Sequence, residues 1–399
     1  MNKSIHRRSH LGPLSAPPLL AGVLLALCLW LSPANAATPG VVVAWGENTT
    51  GQTNVPTGLG GVTAIAAGGA HTVALKRDGT VAAWGLGTNN TGTIGRYGQS
   101  IVPAGLSGVK AISAGYAHTV ALKSDTTVVA WGYNGQGQRT VPTGLSGVIA
   151  VAAGGAHTVA LKNDGTVVAW GDDSSGQKMN VPTGLSGVTA IAAGDSHNLA
   201  LKSDGTVVAW GDNGTGQTNV PVGLNGVMAI AAGASHSVAL RSNGTVVAWG
   251  AGTVATIDNI FEFGQSIIPP GLSGVTAIAA GGQHTVALRS NGTVVAWGDS
   301  TYDQTNAPAG LNGVTAISAG YSHSVAIVVG PTITASASGN TLTLFWPETA
   351  SGYRVESSLS LAAITTWNNV AGTLQTNGGL ISLGLPKPVA PKFYRLTKP

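Results

Sequence analysis

Thiols are almost absent from this chain of 399 residues, whose single cysteine, Cys28, lies near its start. Beyond that point no disulfide, thiolate metal site or cysteine nucleophile is available, so the fold must be held by its core alone. Charge is scarce as well. Asp, Glu, Lys and Arg make up 9% of the residues, against about 25% in an average domain. Phenylalanine occurs only at positions 261, 263, 345 and 393, and histidine beyond residue 10 only seven times. No apolar spacing of helical period appears after residue 36. There is no Gly-x-Ser-x-Gly elbow, no P-loop and no glycine-rich turn opening a helix. These absences remove the usual nucleophile and phosphate-cradle chemistries from consideration.

Residues 1–36 read as a secretory signal peptide. Lys3, Arg7 and Arg8 precede an apolar run of 13 residues, Leu19 to Leu31, too short to span a bilayer comfortably, and Ala34-Asn35-Ala36 supplies the cleavage site. Leu27 before Cys28 lacks the small size a lipoprotein site requires. The net charge of +4 resides largely in this leader: without its three basic residues, 16 Lys and Arg face 15 Asp and Glu. A nucleic-acid binder carries a marked basic footprint, and none remains here. No membrane span is read after residue 36.

What the chain has in abundance is repetition. Ala-Trp-Gly recurs at Trp45, Trp84, Trp131, Trp170, Trp210, Trp249 and Trp297, with spacings of 39, 47, 39, 40, 39 and 48 residues. His71, His118, His157, His197, His236, His284 and His323 run in step. A period near 40 signals a solenoid, propeller or array. Within a repeat such as 147–182, Val148 to Ala153 is a short apolar run ending in glycines. His157 to Lys162 and Thr166 to Trp170 are joined by Asn163-Asp164-Gly165, a strong hairpin signal. Asp78-Gly79, Asp204-Gly205, Asn243-Gly244 and Asn291-Gly292 repeat it, but the second repeat has Asp125-Thr126, where threonine resists positive φ. A Gly-Gln pair and a Val-Pro-like step follow, read as a loop and a short fourth, outer strand.

Four-stranded units around an axis are propeller blades. The chain starts the pattern with a lone Trp strand, 41–46, and ends it with a lone His segment, 313–330. Joining the two completes a seventh blade. The predicted fold is therefore all-β: a seven-bladed propeller over residues 37–330, closed by its N- and C-terminal strands. Residues 331–399 break the period and are read as a small β-sandwich module.

The string Ser-Gly-Val-x-Ala-Ile-Ala-Ala-Gly-x-x-His-x-x-Ala-Leu-Lys-x-Asp-Gly-Thr-Val-Val-Ala-Trp-Gly, carried by Gly187-Val188 through Pro221 and its sister repeats, resembles the regulator of chromosome condensation propeller family. It is closer still to a secreted bacterial branch that includes a β-lactamase inhibitory protein. The C-terminal segment resembles fibronectin-like modules of exported bacterial proteins. The resemblance implies a propeller fold and, within that branch, inhibition of a secreted enzyme. The nucleotide exchange of nuclear relatives does not fit behind a signal peptide.

Recurrence once per blade assigns the seven tryptophans and seven histidines to structure: indoles packed between blades with N–H on a backbone carbonyl, imidazoles tying down a neighbouring loop. Metal ligands would have to converge on one ion, so no metal site or cofactor is expected. Asp172-Asp173, and Asp299 with Asp303, are read as surface-loop residues without EF-hand spacing. Two candidate surfaces remain. The long spacings insert 91–97 and 256–263, bringing Arg96, Tyr97, Phe261, Glu262 and Phe263, residue types that interface hot spots favour. The loops before each histidine offer a rim with Tyr116, Asp195, Gln283 and Tyr321. The reading is a secreted, periplasmic or cell-surface monomer, without enzymatic activity, that binds an extracellular protein. An enzyme inhibitor is the alternative, and a polysaccharide-acting enzyme or carbohydrate binder ranks third. If the leader is read correctly, the intact mass of the exported protein will correspond to a chain beginning at Ala37 or Thr38. A mass retaining Met1 would remove the basis for export.

Overall fold

The computed structural model describes residues 40–89, 95–173, 180–253, 262–330, 334–338, 340–347, 354–358, 368–377, 380–386, 388 and 393–397. The leader with Cys28, most of both insertions and Phe261 lie outside the described residues. Those between 40 and 330 form seven three-stranded antiparallel sheets. The inner strands are Val62–Ala67, Val109–Ala114, Val148–Ala153, Val188–Ala193, Val227–Ala232, Val275–Ala280 and Val314–Ala319. Each middle strand starts at its histidine, as in His71–Lys76, and each outer strand carries its tryptophan, as in Val81–Gly85. The seventh sheet takes its outer strand from the other end of the pattern. Val41–Gly46 pairs with His323–Val328, from Val41 opposite Val328 to Gly46 opposite His323.

The middle strands are apolar without alternation because both of their faces are covered. Val73 and Leu75 pack towards the next blade, against Val109, Ile112 and Trp131. Ala74 turns to the preceding blade, with Trp84, Val325 and Ile327. A small alanine thus sits beside each large indole, and the blade keeps even thickness. Between inner and middle strands the register slips once near the start, between Val62 and Ala64 in the first blade and at the equivalent place in the other six. Such bulges bend a strand and add local twist.

The fourth strand expected from the sequence does not form. Among the described residues the segment after each tryptophan contributes no ladder, and each of the seven sheets has three strands. Its backbone is committed elsewhere, to tight turns such as Asn54 N–H to the Gly51 carbonyl and Leu59 N–H to the Pro56 carbonyl, and to the buried glutamine contacts described below. The Pro in each segment also lacks the N–H that a ladder needs.

Beyond the ring, Thr334–Ser338, Thr341–Pro347, Leu380–Pro386 and Leu374–Asn377 form one sheet, and Asn368–Asn369, Arg354–Ser358 and Phe393–Thr397 another. Leu344, Ile381 and Leu383 of the first share a buried cluster with Val355 of the second.

The hairpin turns follow the Asp-Gly pattern, with Gly79 N–H on the Lys76 carbonyl and Lys76 N–H on the Thr80 carbonyl. Gly79 has φ +77°, and Thr126 is forced to φ +70° at the same place. A β-branched residue there stores about 1–3 kcal/mol of strain, only partly recovered by glycine's greater unfolded-state entropy. Thr126→Gly is expected to raise stability by about 1 kcal/mol in denaturant unfolding. No gain would mean that the turn has relaxed around threonine.

Candidate functional site

The seven histidines are fully buried, and each reaches across to the next blade rather than to a loop, as the sequence reading had it. His71 Nε2 lies 2.9 Å from Thr119 Oγ1, His118 Nε2 3.0 Å from Thr158 Oγ1, and His157 Nε2 2.8 Å from Asn198 Oδ1. The series continues through His197 to Ser237, His236 to Thr285 and His284 to Ser324, and His323 returns it to Thr72 of the first blade at 3.0 Å. The acceptor is always the residue immediately after the next blade's histidine.

These contacts fix the proton. Thr119 donates its only hydroxyl hydrogen to the Gln99 carbonyl, and Thr72, Thr158, Ser237, Thr285 and Ser324 do the same to Gln52, Gln138, Gln217, Gln265 and Gln304. Each hydroxyl can therefore only accept from the imidazole, so Nε2 carries a proton, and burial disfavours a second proton on the ring. The same glutamine carbonyls accept the indole N–H groups of Trp84, Trp131, Trp170, Trp249, Trp297 and Trp45 at 2.9–3.0 Å. Burial pushes the pKa of His71 and His284 down to about 4, and of His118, His197, His236 and His323 to about 3.

The buried glutamine is the residue that the sequence reading missed. Its Oε1 accepts an N–H two residues upstream, Thr50 onto Gln52, Tyr97 onto Gln99, Phe263 onto Gln265 and Tyr302 onto Gln304. Its Nε2 donates to Asp212 from Gln217 and to Asp299 from Gln304. Asp172 and Asp299, read as surface carboxylates, are buried. The signal was available: Gln follows Gly, or Asp303, at a fixed place in every repeat. Asp303 stands where glycine is usual and has φ +62°.

Inside this frame runs a channel of about 240 Å³, lined from all seven blades by alanines and glycines together with Ile65, Ile112, Val151, Ile191, Ser113 and Ser318. The residue two places before each histidine surrounds its mouth. There the tyrosines and the carboxylate come together: Tyr116, Asp195 and Tyr321 line one opening, while Gly69, Ala234 and Gly282 fill other positions. Tyr116 and Tyr321 meet edge to face, with centroids 5.6 Å apart, and are 54% and 40% exposed. A Cβ on Gly69 would stand 3.0 Å from the Tyr116 ring, and one on Gly282 3.1 Å from the Tyr321 ring. Partial burial, then the nearby Asp195 charge and Tyr116, push the Tyr321 pKa up.

Gln283 does not join them. The position immediately before each histidine is not among the residues lining the channel, and its carbonyl takes an N–H from the loop after the tryptophan, Asp299 onto Gln283 and Leu86 onto Ala70. Of the insertion residues, Arg96 is exposed and reaches Asn89, while Tyr97 is half-buried with its ring 4.4 Å from that of Tyr133. Glu262 accepts the Gly252 N–H at 2.8 Å, and Phe263 is 37% exposed. Tyr97 is thus a packed residue rather than a free anchor.

Strand register puts both candidate sets on one face. Gly85 pairs with His71 and Gly250 with His236, so the loops after the outer strands and before the middle strands emerge at the same end. Among the described residues the charge on these loops is Glu47, Asp172, Asp173, Asp195, Asp212, Glu262, Asp299 and Asp303 against Arg96 and Arg139. The hairpin ends opposite carry Lys76, Arg77, Lys123, Lys162, Lys202, Arg241 and Arg289 against Asp78, Asp125, Asp164 and Asp204. Among the described residues no group of three or more His, Asp or Glu gathers as a metal ion would require, and no helix is long and apolar enough to cross a membrane.

Six stretches, residues 62–91, 109–138, 148–177, 188–217, 228–254 and 275–304, match the Regulator of chromosome condensation (RCC1) repeat. These stretches are similar to RCC1 repeats, and the described residues around them are all-β, folded into propeller blades. Among solved structures it is similar to Prp20p from Saccharomyces cerevisiae, which binds Gsp1p and histones. That match has a TM-score of 0.58 and 20% identity over 75% of this chain and 93% of that one. Yeast RCC1 (Prp20) bound to Kap60 matches with a TM-score of 0.58 and 20% identity, over 82% and 96%. Human WBSCR16 matches with a TM-score of 0.56 and 20% identity, over 72% and 99%. No curated protein matches the chain.

The neutral histidines make stability depend on pH. Below pH 6.5 the unfolded chain takes up protons that the folded ring excludes until pH 3–4, so stability must fall as the pH falls through that window. The slope approaches about 1.4 kcal/mol per pH unit for each such histidine. Asp78, Asp125, Asp164 and Asp204, held below the usual carboxylate range chiefly by hydrogen bonds from the threonine two residues on, act only at lower pH. Thermal unfolding followed from pH 7 to 5 is expected to show a steady drop in midpoint. A flat profile would be incompatible with imidazoles that stay neutral.

Proposed function

We propose that this protein is a secreted, non-enzymatic propeller that binds a partner protein through the face at the start of its middle strands. One observation carries the reading: Tyr116, Asp195 and Tyr321 meet at the channel mouth, on the face that also bears Arg96, Glu262 and Phe263. Exposed aromatic rings held rigidly at the centre of a broad face are what interface anchors require. The hydrogen bonds beneath them involve backbone and buried groups, so the mouth is preorganised. A non-catalytic role is supported by where the titratable groups go. The histidines are buried and neutral, and Asp212 and Asp299 are engaged by glutamines. Two of the similar solved structures, Prp20p and Prp20 with Kap60, are themselves protein-binding.

Inhibition of a secreted enzyme, such as a β-lactamase, is the second reading. The tyrosine pair favours it, since an aromatic wedge at a channel mouth can fill a cleft. The exported protein should capture a partner from the medium or envelope of the producing cell. Tyr116→Ala/Tyr321→Ala should lose that partner while keeping its melting temperature, and Phe263→Ala should weaken capture less. Equal capture by the tyrosine double variant would remove this face from the reading. A β-lactamase panel assayed alongside separates the inhibitor from the general scaffold.

A further inference from the structure

The chemistry of the channel mouth specifies more than an aromatic contact. Two tyrosine rings and a carboxylate are gathered at one opening, above a shaft walled by alanine and glycine with Ile65, Ile112, Val151, Ile191, Ser113 and Ser318. The rings stand edge to face and both are substantially exposed. The π-face of a tyrosine attracts cations within about 6 Å. Asp195 adds a full negative charge close enough to Tyr321 to disfavour ionisation of its hydroxyl. Around the mouth the loops are acidic, whereas the opposite face is basic. The field therefore draws positive charge to this end and repels it from the other.

Resting on the protein-binding reading above, we propose that Tyr116, Tyr321 and Asp195 form a receptor for one protruding lysine or arginine side chain of the partner, its charged head between the rings and the carboxylate at the mouth and its apolar stem leading back to the partner. The shape agrees with the chemistry. Alanine at inner-strand positions such as Ala66, Ala152 and Ala192, beside Ile65, Ile112, Val151 and Ile191, leaves an apolar space of about 240 Å³ beneath the mouth. A long flexible stem with a terminal charge is the side chain that carries its charge from a partner's surface to a carboxylate at the mouth while its methylenes lie against exposed tyrosine rings. An acidic side chain would meet Asp195 and the surrounding carboxylates. A bulky aromatic residue would find the opening already occupied by Tyr116 and Tyr321.

The test is a selection of phage-displayed random dodecapeptides on the immobilised exported protein, followed by synthesis of the leading peptide and of the same peptide with its common cationic residue replaced by norleucine. The expected result is enrichment of lysine or arginine at one position, with the norleucine peptide binding at least tenfold more weakly. On Asp195→Asn, which keeps size and removes charge, that tenfold difference should shrink to twofold or less. Raising salt from 50 to 500 mM should weaken the cationic peptide and leave the norleucine peptide nearly unchanged. Peptides enriched in apolar or acidic residues, or equal binding of the norleucine peptide, would overturn the cation receptor. If such peptides were still lost by Tyr116→Ala/Tyr321→Ala, the protein-binding face would stand and only its ligand chemistry would fall. Selected peptides indifferent to the tyrosine double variant would overturn both. Melting temperatures within 2 °C of the native protein, the usual shift of a fraction of a kcal/mol, confirm that each variant is folded.

Discussion

Everything in the ring depends on one hydrogen bond, repeated: an imidazole Nε2–H of one blade given to the hydroxyl or amide oxygen of the next. The acceptor passes its own proton to a glutamine carbonyl that also holds an indole. None of these groups can be satisfied within a single blade. A buried donor or acceptor left without its partner costs about 1–3 kcal/mol, so an isolated blade would carry several such costs, and adjacent blades remove them. The contact makes neighbouring blades conditional on each other. The register between 41–46 and 323–328 belongs to the same logic, since His323 can reach Thr72 only when both ends of the ring pattern are in place.

The same constraint explains which positions vary. Histidine, tryptophan, the buried glutamine and the glycine before the His loop are all committed. At Gly68, for example, a Cβ would stand 2.6 Å from His71 Nδ1. What stays free is the residue two before each histidine and the length of the loop after each tryptophan. Those two freedoms are where Tyr116, Asp195 and Tyr321, and the two insertions, appear. A scaffold that fixes so much presents its variable residues with little conformational entropy left to lose on binding.

Much of this architecture was legible in the sequence. The spacing of Trp45 to Trp297, the Asp-Gly turns and the strain at Thr126 follow from local rules, and an indole N–H on a carbonyl follows from burial. Three things were not. The absent outer strand depends on where the backbone of the Gly-Gln segment is spent, which the Val-Pro pattern does not disclose. The role of Gln99 and its counterparts was written in their recurrence, but a polar residue in a loop reads as solvated until its surroundings are known. Gln283 and Tyr321 fall in one loop motif, yet of the two only Tyr321 lines the channel, while the Gln283 carbonyl is drawn towards the tryptophan loop.

The meeting of both candidate surfaces on one face also lay beyond a linear reading, since it follows from antiparallel parity: a middle strand that begins where the outer strand ends must bring their flanking loops to the same side. Parity also sorts charge. The lysines that close the middle strands fall at the hairpin end, where Lys123 and Lys162 pair with Asp125 and Asp164. The carboxylates that hold the buried glutamines must instead lie beyond the tryptophans, as Asp212 and Asp299 do. Two of the charges on the acidic face, Asp212 and Asp299, are therefore a consequence of how the buried glutamines are held. Tyr116, Asp195 and Tyr321 stand in a field that the fold itself generates, which biases any partner that uses them towards positive charge before a single contact has formed.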